Sequence, residues 1–127
     1  MFGEGKMSFD VIYNKEHNCL RGSVKGSFKA EHIGDYVKEV EKLVKKHKCQ
    51  CFLNDFRKAT IQLTILNLYE TPDKVIAKEF NRTWKRAILI NEKDLKQMSF
   101  LETTSYNRGI PVKVFTDENE TIDWLRT

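Results

Sequence analysis

The chain has 127 residues, 40% of them hydrophobic and 31% charged, and a net charge of +4 at neutral pH. That length suits one domain, residues 1–127 with 1–7 as a flexible lead-in, burying about two thirds of its unfolded-chain surface in a single core. No apolar run approaches the roughly 18 residues needed to span a bilayer, and Met1–Met7 lacks the apolar core of a secretion signal. A cytoplasmic protein is expected, with peripheral membrane contact left open.

Phe9, Val11 and Tyr13 alternate with polar neighbours, the period of a half-buried strand. After a polar turn at Glu16–Asn18, Cys19–Lys25 reads as a second strand, with Gly22 and Gly26 weakening it or marking bulges. A short link between consecutive strands predicts an antiparallel hairpin. Gly26-Ser27-Phe28 is then expected to leave the sheet.

Ile33, Tyr36, Val37, Val40, Leu43, Val44 and His47 form one stripe of 3.6-residue period, the mark of an amphipathic helix. His47 closes that stripe as a packing residue. Lys42, Lys45, Lys46 and Lys48 gather near its end, where cations complement the helix dipole. Those lysines account for much of the basic excess. Without an arginine-rich tract or interleaved aromatic and basic residues, no nucleic-acid partner is expected. The odd count of cysteines, Cys19, Cys49 and Cys51, predicts reduced thiols serving as small core residues. His47-Lys48-Cys49-Gln50-Cys51 lacks a second ligand pair, so no metal is expected.

Cys49–Asp55 reads as a buried central strand whose C-terminal end opens into a polar loop, the place where open α/β sheets meet ligands and partners. Residues 58–71 fit a strand and a helical face equally well. Thr71-Pro72 caps a helix running through Ile76 and Phe80 toward Trp84. Arg86–Ile90 is an apolar run of the kind covered on both faces. Ser99 with Glu102 makes a capping-box pattern for a helix, begun there or near Asp94, that ends at Asn107-Arg108-Gly109. Val112–Phe115 is the last strand. Asp117 with Glu120 caps a final helix in which Trp124 anchors the chain end. Strands alternating with helices predict an α/β domain, a mixed sheet with an N-terminal hairpin and then mostly parallel strands, flanked by helices.

Chemistry is sparse. There is no glycine-rich phosphate loop after a strand, no nucleophile elbow, and no relay around His17, His32 or His47. No cofactor and no catalytic residue is assigned. Asp55 and Arg57, two apart in extended chain, point to one side and either bond or jointly face a partner. Thr60 and Thr64 offer hydroxyls just beyond, as caps or as acceptors of a phosphate.

Asn54-Asp55-Phe56-Arg57 after the third strand, Leu68-Tyr69-x-x-Pro72, Lys85-Arg86-Ala87-Ile88, Phe100-Leu101-Glu102 before Asn107-Arg108-Gly109, and Val112–Asp117 leading to Asp123-Trp124-Leu125 follow one another in order. In this succession, spanning roughly residues 8–126, the chain resembles the STAS-like (SpoIIAA-like) proteins, related in fold to bacterial anti-sigma-factor antagonists. The resemblance implies a non-enzymatic module acting through protein–protein contacts, with nucleotide or lipid binding proposed for relatives. The antagonists carry a phosphorylatable Asp-Ser-Ser-Gly-type segment at the third strand's end. Here that region reads Asp55-Phe56-Arg57-Lys58-Ala59-Thr60, without serine or glycine, which puts a serine switch in doubt.

The expectation is therefore a protein-binding or regulatory module using Asp55, Arg57, Lys58 and Thr60, with a homodimer compatible with base rates. The alternative is a carrier of a small apolar or lipid-like ligand lined by Leu66, Tyr69, Phe80 and Phe100. An enzyme is the weaker alternative.

Overall fold

The computed structural model describes residues 6–68, 70 and 84–127. Strands β1 (Ser8–Asn14), β2 (Cys19–Lys29), β3 (Cys51–Gln62), β4 (Lys85–Leu89) and β5 (Val112–Phe115) form one sheet, laid side by side in chain order. β1 runs antiparallel to β2, and every later pairing is parallel. Helices α1 (Ala30–His47), α2 (Leu95–Tyr106) and α3 (Glu118–Leu125) flank it. This is the mixed α/β sheet that the order of elements predicts. No described helix is long and apolar enough to cross a membrane.

The stripe on α1 does what its spacing dictates: Ile33, Tyr36, Val40 and Val44 are buried against the sheet. His47 stacks on Tyr13, with ring centroids 4.0 Å apart. The helix ends at Lys48, in left-handed backbone (φ 52°), whose N–H reaches the Val44 carbonyl at 2.7 Å. Below α1 lie Leu20, Val24 and Phe28 of β2, Phe52 and Phe56 of β3, and Ile88 and Val114, with Met98 and Leu101 of α2 completing the cluster. Each such side chain contributes about 1.5–3 kcal/mol on burial.

The other side of the sheet is covered unequally. α3 packs over β3, β4 and β5, with the Trp124 ring 5.8 Å from Phe115 and Lys85 Nζ 5.5 Å above it. Ile12 of β1, on that same side, is 60% exposed.

Several local expectations need correction. β2 does not leave the sheet at Gly26, and β3 does not stop at Asp55. They continue together as a parallel ribbon, Lys25 to Lys29 against Lys58 to Gln62. Phe28, Ala59 and Ile61 face the core while alternate residues face solvent, and that one-sided burial hides the strand in a charged stretch. Residues 58–71 thus divide: strand to Gln62, then helix over residues 65–68. Thr64 caps that turn, its Oγ1 accepting from Asn67 N at 3.1 Å.

Of the two helix starts expected, the one near Asp94 is found and the one at Ser99 is not. α2 begins at Leu95, and Ser99 donates to the Leu95 carbonyl one turn back, while Glu102 reaches away to accept from Val114 N at 2.7 Å. Gly109 does take left-handed backbone (φ 75°), and the Ile110 N–H bonds back to the Ser105 carbonyl, the closing bond of a Schellman end. Cys19 and Cys51 correct the expectation of reduced thiols. They face each other in the β2–β3 register, Cα atoms 4.8 Å apart, and are paired as a disulfide; Cys49 is free and buried. The helix expected from Thr71-Pro72 lies outside the described residues.

Candidate functional site

The stretch from Asn54 to Thr60 is organised by a bulge. Ser23 pairs with Asp55, but Lys25 pairs with Lys58, so Phe56 and Arg57 together oppose Val24. One extra residue inverts the alternation of side chains. Before it, Phe52, Asn54 and Phe56 face the core; after it, Ala59 and Ile61 do. Lys58 and Thr60 are thereby turned to the side that Asp55 and Arg57 occupy. The bulge has its own brace, because Asp55 Oδ1 accepts from the Arg57 N–H at 3.1 Å. That satisfies a backbone donor the ladder leaves over.

On that side four charged groups close a ring. Arg57 grips Asp55 with Nε to Oδ1 at 3.0 Å and Nη2 to Oδ2 at 2.8 Å. Arg21 of β2 reaches the same Oδ2 at 3.0 Å. Glu118, in the first turn of α3, accepts from both arginines at 3.1 and 2.8 Å. Burial alone pushes the Asp55 carboxyl up, but the hydrogen bonds and charge of Arg57, with Arg21 adding, hold it below the usual carboxylate range. Glu118 is held low chiefly by its hydrogen bond from Arg21. The Arg57 guanidinium is pushed up, first by its bond to Asp55. Asp55, Glu118 and Arg57 are thereby held in their charged forms.

Beneath them, Tyr36 Oη donates to Asn54 Oδ1 at 2.9 Å, and Asn54 Nδ2 donates to the Ala87 carbonyl at 3.0 Å. This buried chain ties α1 to β3 and β4. Gly22 makes room for it, since a Cβ there would overlap the Tyr36 hydroxyl and lie 3.2 Å from Phe52 Cε1. Burial, then the charge of Asp55, raises the Tyr36 hydroxyl far above its ordinary range. Asn91 Nδ2 donates to the Arg57 carbonyl at 2.8 Å, steadying the part of β3 that outruns β4.

Asp55 and Arg57 therefore bond as their spacing allows, and Lys58 and Thr60 stand beside them on a strand rather than in a loop. Thr60 pairs with Ser27 across the ribbon and Lys58 with Lys25. A depression of about 330 Å³ opens there, lined by Ser8, Asp10, Ser23, Lys25, Asp55 and Lys58. Reading the sequence missed Arg21 and Glu118. The alternation around Leu20 does turn Arg21 away from the core, but its partners lie 34 and 97 residues off. An acid in a first helical turn is equally well explained by the dipole.

Of the four residues proposed to line an apolar ligand, Leu66 is 63% exposed, Phe100 is half-buried against the core, and Tyr69 and Phe80 lie outside the described residues. An apolar cavity of about 140 Å³ lies elsewhere, between α1, the sheet and α2, lined by Phe28, Tyr36, Val40, Phe52 and Met98 among others. Ligand pockets usually start near 300 Å³.

Two solved structures match over almost the whole chain. One is an anti-sigma factor antagonist of Mycobacterium paratuberculosis, with a TM-score of 0.63, 10% identity and 96% of each chain covered. The fold is STAS/SpoIIAA-like. The other, an uncharacterised protein of Shewanella loihica with a SpoIIAA-like fold, has a TM-score of 0.61 and 14% identity, covering 98% of this chain and 99% of that one. No family model and no curated protein sequence matches the chain.

Proposed function

We propose that this STAS/SpoIIAA-like domain is a non-enzymatic regulatory module that binds another protein through the face bearing Asp55, Arg57, Lys58 and Thr60. The observation that carries this reading is the bulge, which turns Lys58 and Thr60, beside Lys25, to the side of the sheet where Asp55 and Arg57 lie next to the first turn of α3. The fold supports it, being shared with a protein named as an anti-sigma factor antagonist. The chemistry supports it too. Asp55 and Glu118 shift downward and Tyr36 and Cys49 upward, away from the neutral range in which acid–base catalysts work, and Arg86, lowered by burial, comes down only to about 10.

Lys25 and Lys58 sit as cross-strand neighbours. Like charges placed so are relieved by an acidic counterpart, so the partner is expected to present carboxylates. Thr60 is a strand residue paired in the ribbon, a setting for contact rather than for a phosphorylation switch at a helix start. Affinity capture from the source cell with wild-type protein and with Lys25→Glu/Lys58→Glu tests the reading. A partner retained by the wild type and lost at least tenfold by the reversed-charge variant supports it, whereas equal retention by both, with unchanged circular dichroism, refutes it.

A further inference from the structure

At the end of the sheet where β2, β3 and β4 begin, a groove of about 790 Å³ runs between the β1–β2 turn and the last turn of α3. Its described lining holds His17, Arg21, Lys85 and Arg126 and no aspartate or glutamate. Arg21 is already answered by Asp55 and Glu118. Lys85 is not: its Nζ donates to the Trp124 carbonyl at 3.2 Å and to Thr127 Oγ1 at 2.6 Å, both neutral acceptors. Arg126 Nη2 lies 3.4 Å from His17 Nε2, an uncharged acceptor in the tautomer that leaves that nitrogen without a proton. Among the described residues no carboxylate meets Lys85 or Arg126. Leu53 and Ile122 give the same groove an apolar floor.

We propose that this groove binds a small organic anion, its phosphate or carboxylate head between Lys85 and Arg126 and its short apolar body against Leu53 and Ile122. The physics is that of unanswered charge. Two cations lining one half-enclosed groove gain more from one shared anion than either gains from water and dissolved salt. The apolar floor sets the class of ligand, since a bare inorganic ion would leave it wet. The groove meets β3 at Cys51 and Leu53 and the bulged face begins at Asp55; Arg21 borders both and is altered in neither test, so either reading stands if the other falls.

The test uses the intrinsic fluorescence of Trp84, which lines the groove, and Trp124, whose ring lies under Lys85. The full chain is titrated with hexyl phosphate, hexanoate, inorganic phosphate and hexanol. At least one of the first two should bind saturably, and the better one identifies the head. It should bind at least roughly tenfold more tightly than inorganic phosphate or hexanol, each of which lacks half of the recognised chemistry. Arg126→Gln, an exposed change, and Lys85→Met should each weaken binding roughly tenfold, while Lys46→Gln on α1 should not. The proposal is overturned if neither hexyl phosphate nor hexanoate binds saturably, if inorganic phosphate binds as well as hexyl phosphate, or if Arg126→Gln and Lys46→Gln behave alike.

Discussion

Replacing Gly22 by alanine should be far more damaging than a glycine-to-alanine change in a strand usually is. The new methyl would occupy the space of the Tyr36 hydroxyl and press on Phe52. Tyr36 is buried among Phe9, Phe28, Phe52 and Phe56, so its ring has little room to retreat. Displacing the hydroxyl strands Asn54 Oδ1, at about 1–3 kcal/mol, and overpacking adds about 1–3 kcal/mol. Against this stands a gain of at most about 1 kcal/mol from removing a strand glycine. The net expectation is a loss of about 2–4 kcal/mol.

Tyr36→Phe should cost about 1–3 kcal/mol through the same stranded acceptor. The two losses share one cause, so the double variant should be less destabilised than their sum by about 1.5–3 kcal/mol. Urea unfolding of the four proteins at pH 7 measures this directly. Additivity within about 0.5 kcal/mol, or a neutral Gly22→Ala, would refute the packing of Tyr36 against Gly22.

The arginine–carboxylate ring predicts an acid-sensitive component of stability. Asp55 and Glu118 both titrate below their ordinary values of 3.8 and 4.5, so the stabilisation is complete above those values and is lost as pH falls through the lower folded ones. Both arginines and Glu118 are more than a third exposed, which limits the effect to about 1 kcal/mol. Urea midpoints measured from pH 6 to pH 2.5 should fall less steeply in Asp55→Asn than in the wild type, and parallel curves would count against the ring. Asp117→Ala removes the side chain that accepts from Glu120 N at 2.9 Å. It should cost about 1 kcal/mol in the same assay, and no loss would mean that α3 starts without its cap.

What was legible in the sequence was whatever a short window encodes. The stripe from Ile33 to His47, the apolar run around Ala87–Leu89 and the Asp117 cap depend on neighbours within a turn or two, and each appears in the structure. The length of β3 was not legible, because Arg57-Lys58 reads locally as a loop and becomes strand only when β2 supplies its ladder. The bulge was equally hidden. Which residue is the extra one depends on register, a relation between two segments that neither carries alone. The Cys19–Cys51 pairing failed for the same reason: counting thiols says nothing about which positions lie side by side.

Laying β2 to β5 side by side in chain order has a consequence for how this domain can grow or associate. The two described crossovers, through α1 and through α2, lie on one face of the sheet, so a loop lengthened at either adds mass there. The far half of β1 and β2 cannot be roofed by such an insertion. Chain added at a terminus or at the β1–β2 turn, or a separate molecule, is what can shelter it.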